Sequence, residues 1–443
     1  MKKLLLILVI AVVFFNRVNA QSVSACPLDM SDIAALPIFY SAPSHNTLWV
    51  AMFGFDLSSL TNNKQIARTT DGGATWTITS IPETMDRGGS CIYATDDNTA
   101  YVGLSDIHNV DGGAIWKTTD GGDTWTQQTT TQFSGGYLEY IAFFTPDSGV
   151  AFGDPKNGYF EIYTTSDGGS NWIQVPEANI PPIVAGELGN GGNPYGLAGD
   201  RVWFATSKGR IIYSYDRGAT WSASTVNSSY GYMGVTMNDT IHGAAWKVQG
   251  PISKAFITND GGQTWVGQNL SPSHTIDFMC AVKDVPGTFV FKSGAIYATT
   301  DNFQTNYLIS NEYPMNGNTV LMYDATIGWT QTSVFESDSA IIKIEDVATG
   351  VGSVENTSAI SSFSVFPNPV TANAALVSFT LDKDAEVTLA LSALSGKIIR
   401  EQTRSASKGN NAVIFDFSGI AQGMYLLNLQ SGKRQASVKV LVQ

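Results

Sequence analysis

Four acidic residues stand close to the loops expected around one end of the fold: Asp86, Glu139, Asp154 and Glu187. A glycoside hydrolase needs two carboxyl groups about 5–10 Å apart, one to protonate the leaving oxygen and one to act as base or nucleophile. These four are therefore candidate catalytic residues for a hydrolase of neutral glycans. One arginine and four aromatic residues near the same loops could contact a sugar or a protein, and they are the candidate ligand-binding residues: Arg87, Tyr137, Tyr195, Tyr232 and Trp246.

A second set of aspartates recurs in the pattern Thr/Ser-x-Asp-x-Gly-x-Thr/Asn-Trp. The full copies contain Asp71 and Trp76, Asp120 and Trp125, Asp167 and Trp172, Asp216 and Trp221, and Asp260 and Trp265, and a worn copy contains Asp301. Successive aspartates are 49, 47, 49, 44 and 41 residues apart, which indicates one supersecondary unit per period. One carboxylate per copy is too few for a calcium loop, whereas Asp and Gly suit a tight turn. We expect these stretches, called here the repeat turns, to be structural, with each Trp packed between neighbouring units.

The elements that position all these residues are short β-strands. The second period shows four of them, at residues 90–94, 99–104, 114–118 and from 125 onward, each bounded by Gly, Asp or Asn. Four antiparallel strands per period and no helical pattern predict an all-β fold, a β-propeller. A further step of 45 residues from Asp301 reaches Asp346, so we expect seven blades over residues 21–348. The lead-in strand near residues 38–40 is expected to close the ring, because a ring must hide its edges.

The strand order separates two faces of the predicted propeller. Each repeat turn joins the third and fourth strands, so it shares a face with the turn between strands one and two. The opposite face, called here the mouth face, carries the loops between blades and between strands two and three. Binding groups tend to lie on such variable loops over a rigid frame. The longest of them is 174–194, which contains Glu187 in a glycine-rich run.

Charge and cysteine content limit the partners of the chain. The 443 residues carry a net charge of −13, but residues 21–362 hold 14 basic and 33 acidic residues, a net charge of −19. This balance argues against nucleic acid as a partner. Cys26, Cys91 and Cys280 are odd in number, so a full disulfide framework is excluded, although one bridge involving Cys26 stays open. Since the Cys and His spacings resemble no metal site, we expect neither a metal nor a cofactor.

Both ends of the chain carry their own signals. Residues 1–20 have a basic start, an apolar stretch and a small-residue cleavage site, which predicts a secretory signal peptide and no transmembrane helix. A lipoprotein signal ending at Cys26 is the alternative. Residues 349–362 have the composition of a linker, and the alternating strands of residues 363–443 predict a small β-sandwich.

The repeat turns resemble the Asp box, or BNR repeat, of sialidases, xyloglucan-hydrolysing enzymes, sortilin-type receptors and a photosystem assembly factor family. This resemblance supports the propeller but implies no single activity. The tail resembles the C-terminal sorting domain of the type IX secretion system of Bacteroidetes, in these features: Phe366-Pro367-Asn368-Pro369, the Ser395-Gly396-Lys397 turn, the Gly423-x-Tyr425-x-Leu427 run and Lys433-Arg434. It implies export across the outer membrane by the secretion machinery, followed by release or attachment at the cell surface.

The arginine content tests the sialidase activity that the Asp box could imply. A sialidase binds the substrate carboxylate with three arginines, because guanidinium groups hold it bidentately. Residues 21–362 contain five arginines, and only Arg87 and Arg210 are expected near the mouth face. Sialidase activity is therefore disfavoured, and the secretion tail disfavours a photosystem assembly role. The leading hypothesis is a monomeric secreted or surface propeller that binds a glycan or a protein. The alternative is a glycoside hydrolase acting on a neutral polysaccharide.

Overall fold

The computed structural model divides the chain into two compact units, with the division near residue 350. It describes residues 22–26, 28, 36–56, 61–85, 87–106, 112–128, 133, 136–191, 195–227, 231, 233–247, 254–270, 274–311, 319–331, 341–345, 360–366, 368, 370, 373–381, 383–393, 398–431 and 434–442. The predicted signal peptide, Asp86, Tyr232 and Asp346 lie outside these residues. Within them, no helix has the length and apolar character to cross a membrane.

The first unit consists of short strands joined by tight turns. In chain order the strands are β1 Ser22–Cys26, β2 Leu36–Ser41, β3 Leu48–Asp56, β4 Thr61–Thr69, β5 Thr77–Ser80, β6 Gly88–Ala94, β7 Ala100–Ser105, β8 Gly113–Thr118, β9 Thr126–Gln127, β10 Leu138–Phe143, β11 Gly149–Lys156, β12 Tyr159–Thr165, β13 Ile173–Gln174, β14 Gly196–Ala198, β15 Arg201–Ala205, β16 Arg210–Ser214, β17 Ser222–Thr225, β18 Met233–Met237, β19 Gly243–Lys247, β20 Lys254–Thr258, β21 Val266–Asn269, β22 Phe278–Ala281, β23 Phe289–Lys292, β24 Ile296–Thr299, β25 Tyr307–Ser310, β26 Val320–Met322, β27 Ile327–Gln331 and β28 Ile341–Glu345. A 3-10 turn, Glu177–Asn179, precedes β14.

These strands form seven four-stranded antiparallel sheets within the described part of the unit. The first six sheets are β2–β5, β6–β9, β10–β13, β14–β17, β18–β21 and β22–β25, and the seventh contains β26, β27, β28 and β1. One cavity of about 440 Å³ is lined by one strand from each sheet: β2, β6, β10, β14, β18, β22 and β26. The seven sheets therefore surround a common axis. This arrangement is a β-propeller, and the predicted all-β fold class is confirmed.

The ring closes through β1, and the expectation that residues 38–40 would close it is wrong. Those residues belong to β2, the first strand of the first sheet. In the seventh sheet β1 pairs with β28, with Ser22 opposite Glu345 and Cys26 opposite Ile341. The last repeat supplies three strands of its sheet, and the N-terminal strand covers the edge that β28 would otherwise expose.

Cys26 lies inside this closure. Only 3% of its surface is exposed, and it packs in one apolar cluster with the nearby Leu28, with Leu48 of the first sheet and with Trp329 of the last. An acyl chain on the Cys26 thiol would have no room there, which argues against the lipoprotein alternative. Cys26, Cys91 and Cys280 are all buried free thiols, so the bridge that the sequence left open is not formed.

Each repeat turn is tied by the same hydrogen bonds. Asp71 accepts from the Thr69 hydroxyl at 2.8 Å, and from the Thr75 amide and hydroxyl at 2.9 and 2.6 Å. The equivalent bonds recur at Asp120, Asp167, Asp216, Asp260 and Asp301. Hydrogen bonds to the charged form, from the threonine at the end of the turn first, lower the pKa of Asp71 and Asp120 to about 2.

The repeat turns also connect neighbouring sheets. The carbonyl of Gly168 accepts from Lys117 Nζ and from the Tyr101 hydroxyl of the preceding sheet, both at 2.8 Å. The carbonyl of Gly261 accepts in the same way from Trp203 Nε1 at 2.6 Å. These bonds satisfy carbonyl groups that the tight turn would leave without partners.

The tryptophans of the repeat turns fill the seams between sheets. The ring of Trp125 lies edge-on to that of Trp49 in the preceding sheet, with centroids 6.2 Å apart. Trp265 packs toward the fourth sheet, where its Nε1 donates to Ser224 Oγ at 3.0 Å. Each four-stranded sheet therefore buries its apolar face against the neighbouring sheet.

The second unit is a small β-sandwich. Its strands are β29 Ile360–Phe366, β30 Ala374–Leu381, β31 Ala385–Ala393, β32 Ile398–Ala406, β33 Gly409–Asp416, β34 Gly423–Ser431 and β35 Arg434–Val442. They form a three-stranded sheet, β29-β30-β33, and a four-stranded sheet, β32-β31-β34-β35. Both sheets contribute to one core, with Val377 and Phe415 from the first and Leu389 and Leu427 from the second. The first strand begins inside the segment 349–362 that composition marks as a linker, and the Ser395-Gly396-Lys397 turn lies outside the described residues.

Candidate functional site

The longest mouth-face loop forms a strap, defined here as residues 184–191. Its first turn is fixed by Glu187, whose Oε2 accepts from the Val184 amide at 3.0 Å. The same oxygen forms an ion pair with Arg210 Nη1 at 2.6 Å, and Oε1 accepts from the Thr206 hydroxyl at 2.7 Å. The Glu187 side chain has no exposed surface. Glu187 therefore anchors the strap on the fourth sheet, and its carboxylate does not face a cleft.

The strap then runs across the mouth-side ends of three sheets. The Leu188 amide donates to Ser207 Oγ at 2.9 Å, and the Ser207 amide donates back to the Leu188 carbonyl at 3.0 Å. Further along, Asn190 Nδ2 donates to the Met233 carbonyl of the fifth sheet at 2.6 Å. The Tyr140 hydroxyl of the third sheet donates to the Asn190 carbonyl. The strap is thus an ordered part of the mouth face.

Glu139 and Asp154 meet on the third sheet because each occupies a β-bulge. Leu138 and Tyr140 of β10 pair with Gly153 and Phe152, so Glu139 has no partner of its own. On β11, Gly153 and Pro155 pair with successive residues of β12, which leaves Asp154 as the extra residue. A bulge redirects the side chain that it carries. The two adjacent bulges therefore bring both carboxyl groups together, and we call them the carboxyl pair.

Burial disfavours the charged form of both members of the carboxyl pair. Burial raises the pKa of Glu139 well above its usual range, and the charge of Asp154 and the hydrogen bond between the two side chains add to that rise. Burial also raises the pKa of Asp154. The protonated form is therefore favoured at Glu139 more strongly than at Asp154.

The strap lies directly against the carboxyl pair. The Gly189 amide donates to Asp154 Oδ1 at 2.8 Å, and the Gly191 amide donates to the Glu139 carboxyl group. A Cβ at Gly189 would lie 2.7 Å from Glu139 Cγ, and one at Gly191 would overlap Glu139 Oε2. Glycine is therefore required at both positions, because the backbone approaches the carboxyl groups so closely.

The remaining candidates divide by burial. Arg87 is 6% exposed, and its guanidinium group donates to the Gly112 carbonyl and to Glu83 Oε2, both at 3.0 Å. Trp246 is fully buried, which leaves no ring face for a ligand. Tyr137 and Tyr195 are half-buried on the mouth side. Asp86 and Tyr232 lie outside the described residues, so their roles stay predictions.

The central cavity has mainly apolar and aromatic walls. Tyr93, Tyr140 and Tyr195 lie on its lining, and among the described lining residues the charged side chain is Lys283. Cys91 and Cys280 also line it, and burial raises the pKa of these thiols to about 12 and about 11. Both thiols therefore stay protonated and weakly nucleophilic at neutral pH.

All five arginines of the propeller are engaged by neighbouring groups. Arg87 and Arg210, the two expected near the mouth face, bind Glu83 and Glu187. Arg217 pairs with Asp200, and the other two arginines donate to backbone carbonyl groups, Arg68 to Gly121 and Arg201 to Thr240. No group of three arginines therefore converges on a carboxylate-binding site within the described part of the propeller.

Comparison with known proteins identifies the second unit. Residues 364–443 match the family described as a secretion system C-terminal sorting domain. This unit is thus the sorting domain of the type IX secretion system that the tail resembles, and it indicates a secreted or cell-surface protein. By sequence, the chain matches none of the curated proteins.

The propeller is similar to several solved structures. YCF48 bound to D1 peptide has a TM-score of 0.51 and 15% identity, over 74% of this chain and 97% of the other. YCF48 from Cyanidioschyzon merolae has a TM-score of 0.53 and 14% identity, over 73% and 98%. The GH74 enzyme of Niastella koreensis has a TM-score of 0.48 and 15% identity, over 92% and 66%. At such identities the YCF48 likeness supports the propeller fold alone.

Proposed function

We propose that this chain is a secreted or cell-surface binding protein whose propeller takes a protein or glycan ligand on the mouth face. The sorting domain provides the route out of the cell. The propeller provides a rigid frame, closed at β1 and stiffened by the repeat turns, on which mouth-face loops are presented. The proposal rests on the state of the candidate carboxylates.

Each described candidate carboxylate is engaged by the protein itself. Glu187 is neutralised by Arg210 with its side chain fully buried. Glu139 is 5% exposed and Asp154 accepts from the Gly189 amide, whereas the two carboxyl groups of a glycosidase flank a space about 5–10 Å wide that holds substrate or water. The strap backbone covers this pair from the mouth side. The three residues therefore act as structural anchors, and this observation favours binding over glycan hydrolysis.

The strap supplies the most distinctive contact surface. Val184 and Leu188 are each 43% exposed, although the backbone that carries them is fixed by hydrogen bonds. Exposed aliphatic side chains on an ordered loop suit the apolar side chains of a peptide, while sugars stack on aromatic faces. A protein or peptide is therefore the first ligand class to test. YCF48, which shares the fold, has been solved with a bound peptide.

The test uses the secreted full chain on peptide and glycan arrays, followed by titration of the strongest binder. Replacing Val184 and Leu188 together by serine should weaken that binder at least tenfold, about 1.4 kcal/mol. The matched control is Ile173→Ser, which removes an aliphatic side chain that is 68% exposed on β13 and should leave affinity unchanged.

The binding proposal and the hydrolase alternative predict opposite results in an activity assay. A panel of neutral polysaccharides incubated with the same protein should show no release of reducing ends. Turnover that is abolished by Glu139→Gln or by Glu187→Gln would replace the binding proposal with the hydrolase alternative.

A further inference from the structure

We propose that the central cavity of the propeller is a binding site of its own, which takes a small neutral aromatic molecule with one hydrogen-bonding group. The cavity lies inside the ring of sheets, whereas the surface formed by Val184 and Leu188 lies on the outside of the mouth face. Its occupancy therefore does not depend on what binds that surface. Three features indicate this ligand class: the walls of the cavity, a free hydroxyl group among them, and the charges around the entrance.

The cavity has the size and the walls of a small-molecule site. Its volume of about 440 Å³ lies within the range of about 300–1,000 Å³ that is usual for ligand pockets. Aromatic residues from several sheets line it, including Phe39 of the first sheet, Tyr93 of the second and Phe278 of the sixth. Such walls favour an aromatic ligand, because aromatic rings attract one another in edge-to-face and offset arrangements.

The Tyr195 hydroxyl is the polar group in these walls that a ligand can use. The neighbouring hydroxyls are engaged, because Tyr93 donates to the Phe143 carbonyl at 2.8 Å and Tyr140 donates to the Asn190 carbonyl. Tyr195 lines the cavity beside both tyrosines, and its hydroxyl has no hydrogen-bond partner in the described part of the chain. Burial raises the pKa of Tyr195 well above its usual range, which agrees with this position. A ligand that supplies a partner would therefore gain a hydrogen bond in surroundings of low polarity.

The cavity reaches the surface on the face that carries the repeat turns. Its lining there belongs to turns between the first and second strands of four sheets, at Pro43, Thr95, Lys283 and Tyr323. All four residues are at least partly exposed. A small molecule can therefore enter along the axis from this side and reach Tyr195 without displacing the strap.

The charges around this entrance favour a neutral ligand. The entrance is surrounded by the turns between first and second strands, which are residues 42–47, 95–99, 144–148, 199–200, 238–242, 282–288 and 323–326. They contain seven aspartates and one lysine, so the entrance is strongly negative and disfavours an anion. The lysine is Lys283, which lines the cavity and would repel a cation. An ion of either sign would also lose its hydration between apolar walls, whereas a neutral molecule would not.

Titration of the full chain with p-cresol, followed by ligand-observed NMR, tests the ligand class. Toluene lacks the hydroxyl group of p-cresol, while p-toluate and p-methylbenzylamine keep the ring and add a negative or a positive charge. We expect p-cresol to bind with a Kd of about 1 mM or below. The two charged compounds should bind about tenfold more weakly or worse. The proposal is overturned if p-cresol does not bind, or if either ion binds as tightly as p-cresol does.

Tyr195→Phe tests the hydrogen bond, because it removes the hydroxyl group and keeps the ring. The affinity for p-cresol should fall about fivefold, while the affinity for toluene should stay unchanged. The matched control is Tyr137→Phe, since Tyr137 is also half-buried on the mouth side but does not line the cavity. This control should leave both affinities unchanged. A Tyr195→Phe variant that binds p-cresol as tightly as the wild type would show that the hydroxyl is not used, and the proposal would fail.

Ala42→Trp tests the location of the site by obstructing the entrance. Ala42 lines the cavity and is half-buried, so the larger side chain can be placed at the rim. Binding of both p-cresol and toluene should weaken about tenfold or more. The urea midpoint of the variant checks its folding, and Tyr195→Phe remains decisive if Ala42→Trp does not fold. A folded Ala42→Trp variant that binds both compounds normally would place them outside the cavity and refute the proposal.

Discussion

Replacing Arg210 by methionine tests whether Glu187 anchors the strap. The ion pair is 2.6 Å long, and the Glu187 and Arg210 side chains are 0% and 12% exposed. Removing one partner of a buried pair leaves an uncompensated charge and costs about 3–5 kcal/mol. Glu187 keeps its hydrogen bonds from Thr206 and the Val184 amide, so the lower end, about 3 kcal/mol, is expected. The double variant with Glu187→Gln has no orphaned charge and should show a coupling of about 1–3 kcal/mol.

The assay is urea unfolding followed by tryptophan fluorescence. All 10 tryptophans lie in the propeller, so the signal reports that unit and not the sorting domain. The matched control is Arg217→Met, because the Arg217–Asp200 pair has a similar length, 2.7 Å, but is 45% and 59% exposed. It should cost less than about 1 kcal/mol. The anchoring role of Glu187 would be refuted if Arg210→Met lowered the free energy of unfolding by no more than this control does. It would also be refuted if the effects in the double-variant cycle added within about 0.5 kcal/mol.

Three further predictions use the same protein. Gly191→Ala forces a Cβ onto Glu139 and should destabilise the propeller by about 1–3 kcal/mol, and an unchanged urea midpoint would contradict the close approach. The pKa of Asp120 is about 2 in the folded chain against an ordinary 3.8, so its contribution to stability is present above pH 4 and lost as pH falls toward 2. The loss of stability on Asp120→Asn should therefore shrink between pH 5 and 2.5, and a difference that does not vary with pH would count against this reasoning. Deletion of residues 363–443 should retain the protein inside the outer membrane, as fractionation and immunoblotting would show, and surface display of the truncated chain would refute the sorting role.

The sequence predicted the parts of the fold that depend on local chemistry. The repeat turns could be found from the spacing of Asp71 and its copies, because each turn needs the same donors, glycines and tryptophan. The closing strand β1 was missed, since its pairing with β28 joins distant parts of the chain and leaves no local pattern. Glu139 and Asp154 were recognised as candidates. Their placement side by side depends on two β-bulges, whose positions cannot be predicted from the residue types.

The strap shows a different limit. Glu187 was selected as a candidate because it is acidic and lies among glycines, yet Arg210, its partner, was considered only as a ligand for anionic sugars. The two residues lie on different elements, and only the tertiary structure places them together. Val184 and Leu188 gave no signal in the sequence, because aliphatic residues in a loop read as ordinary packing groups.

Closure of the ring by β1 has a consequence for folding kinetics. The pairing of Ser22 with Glu345 joins the first and last strands of the propeller, so it is among the most non-local contacts in the unit. Such contacts form late, because the chain between them must be ordered before the pairing becomes favourable. Until then the edge of β28 is open to other chains. We therefore expect the pairing of β1 to be among the last steps of propeller folding, and the interval before it to be the one in which the chain is most prone to aggregate.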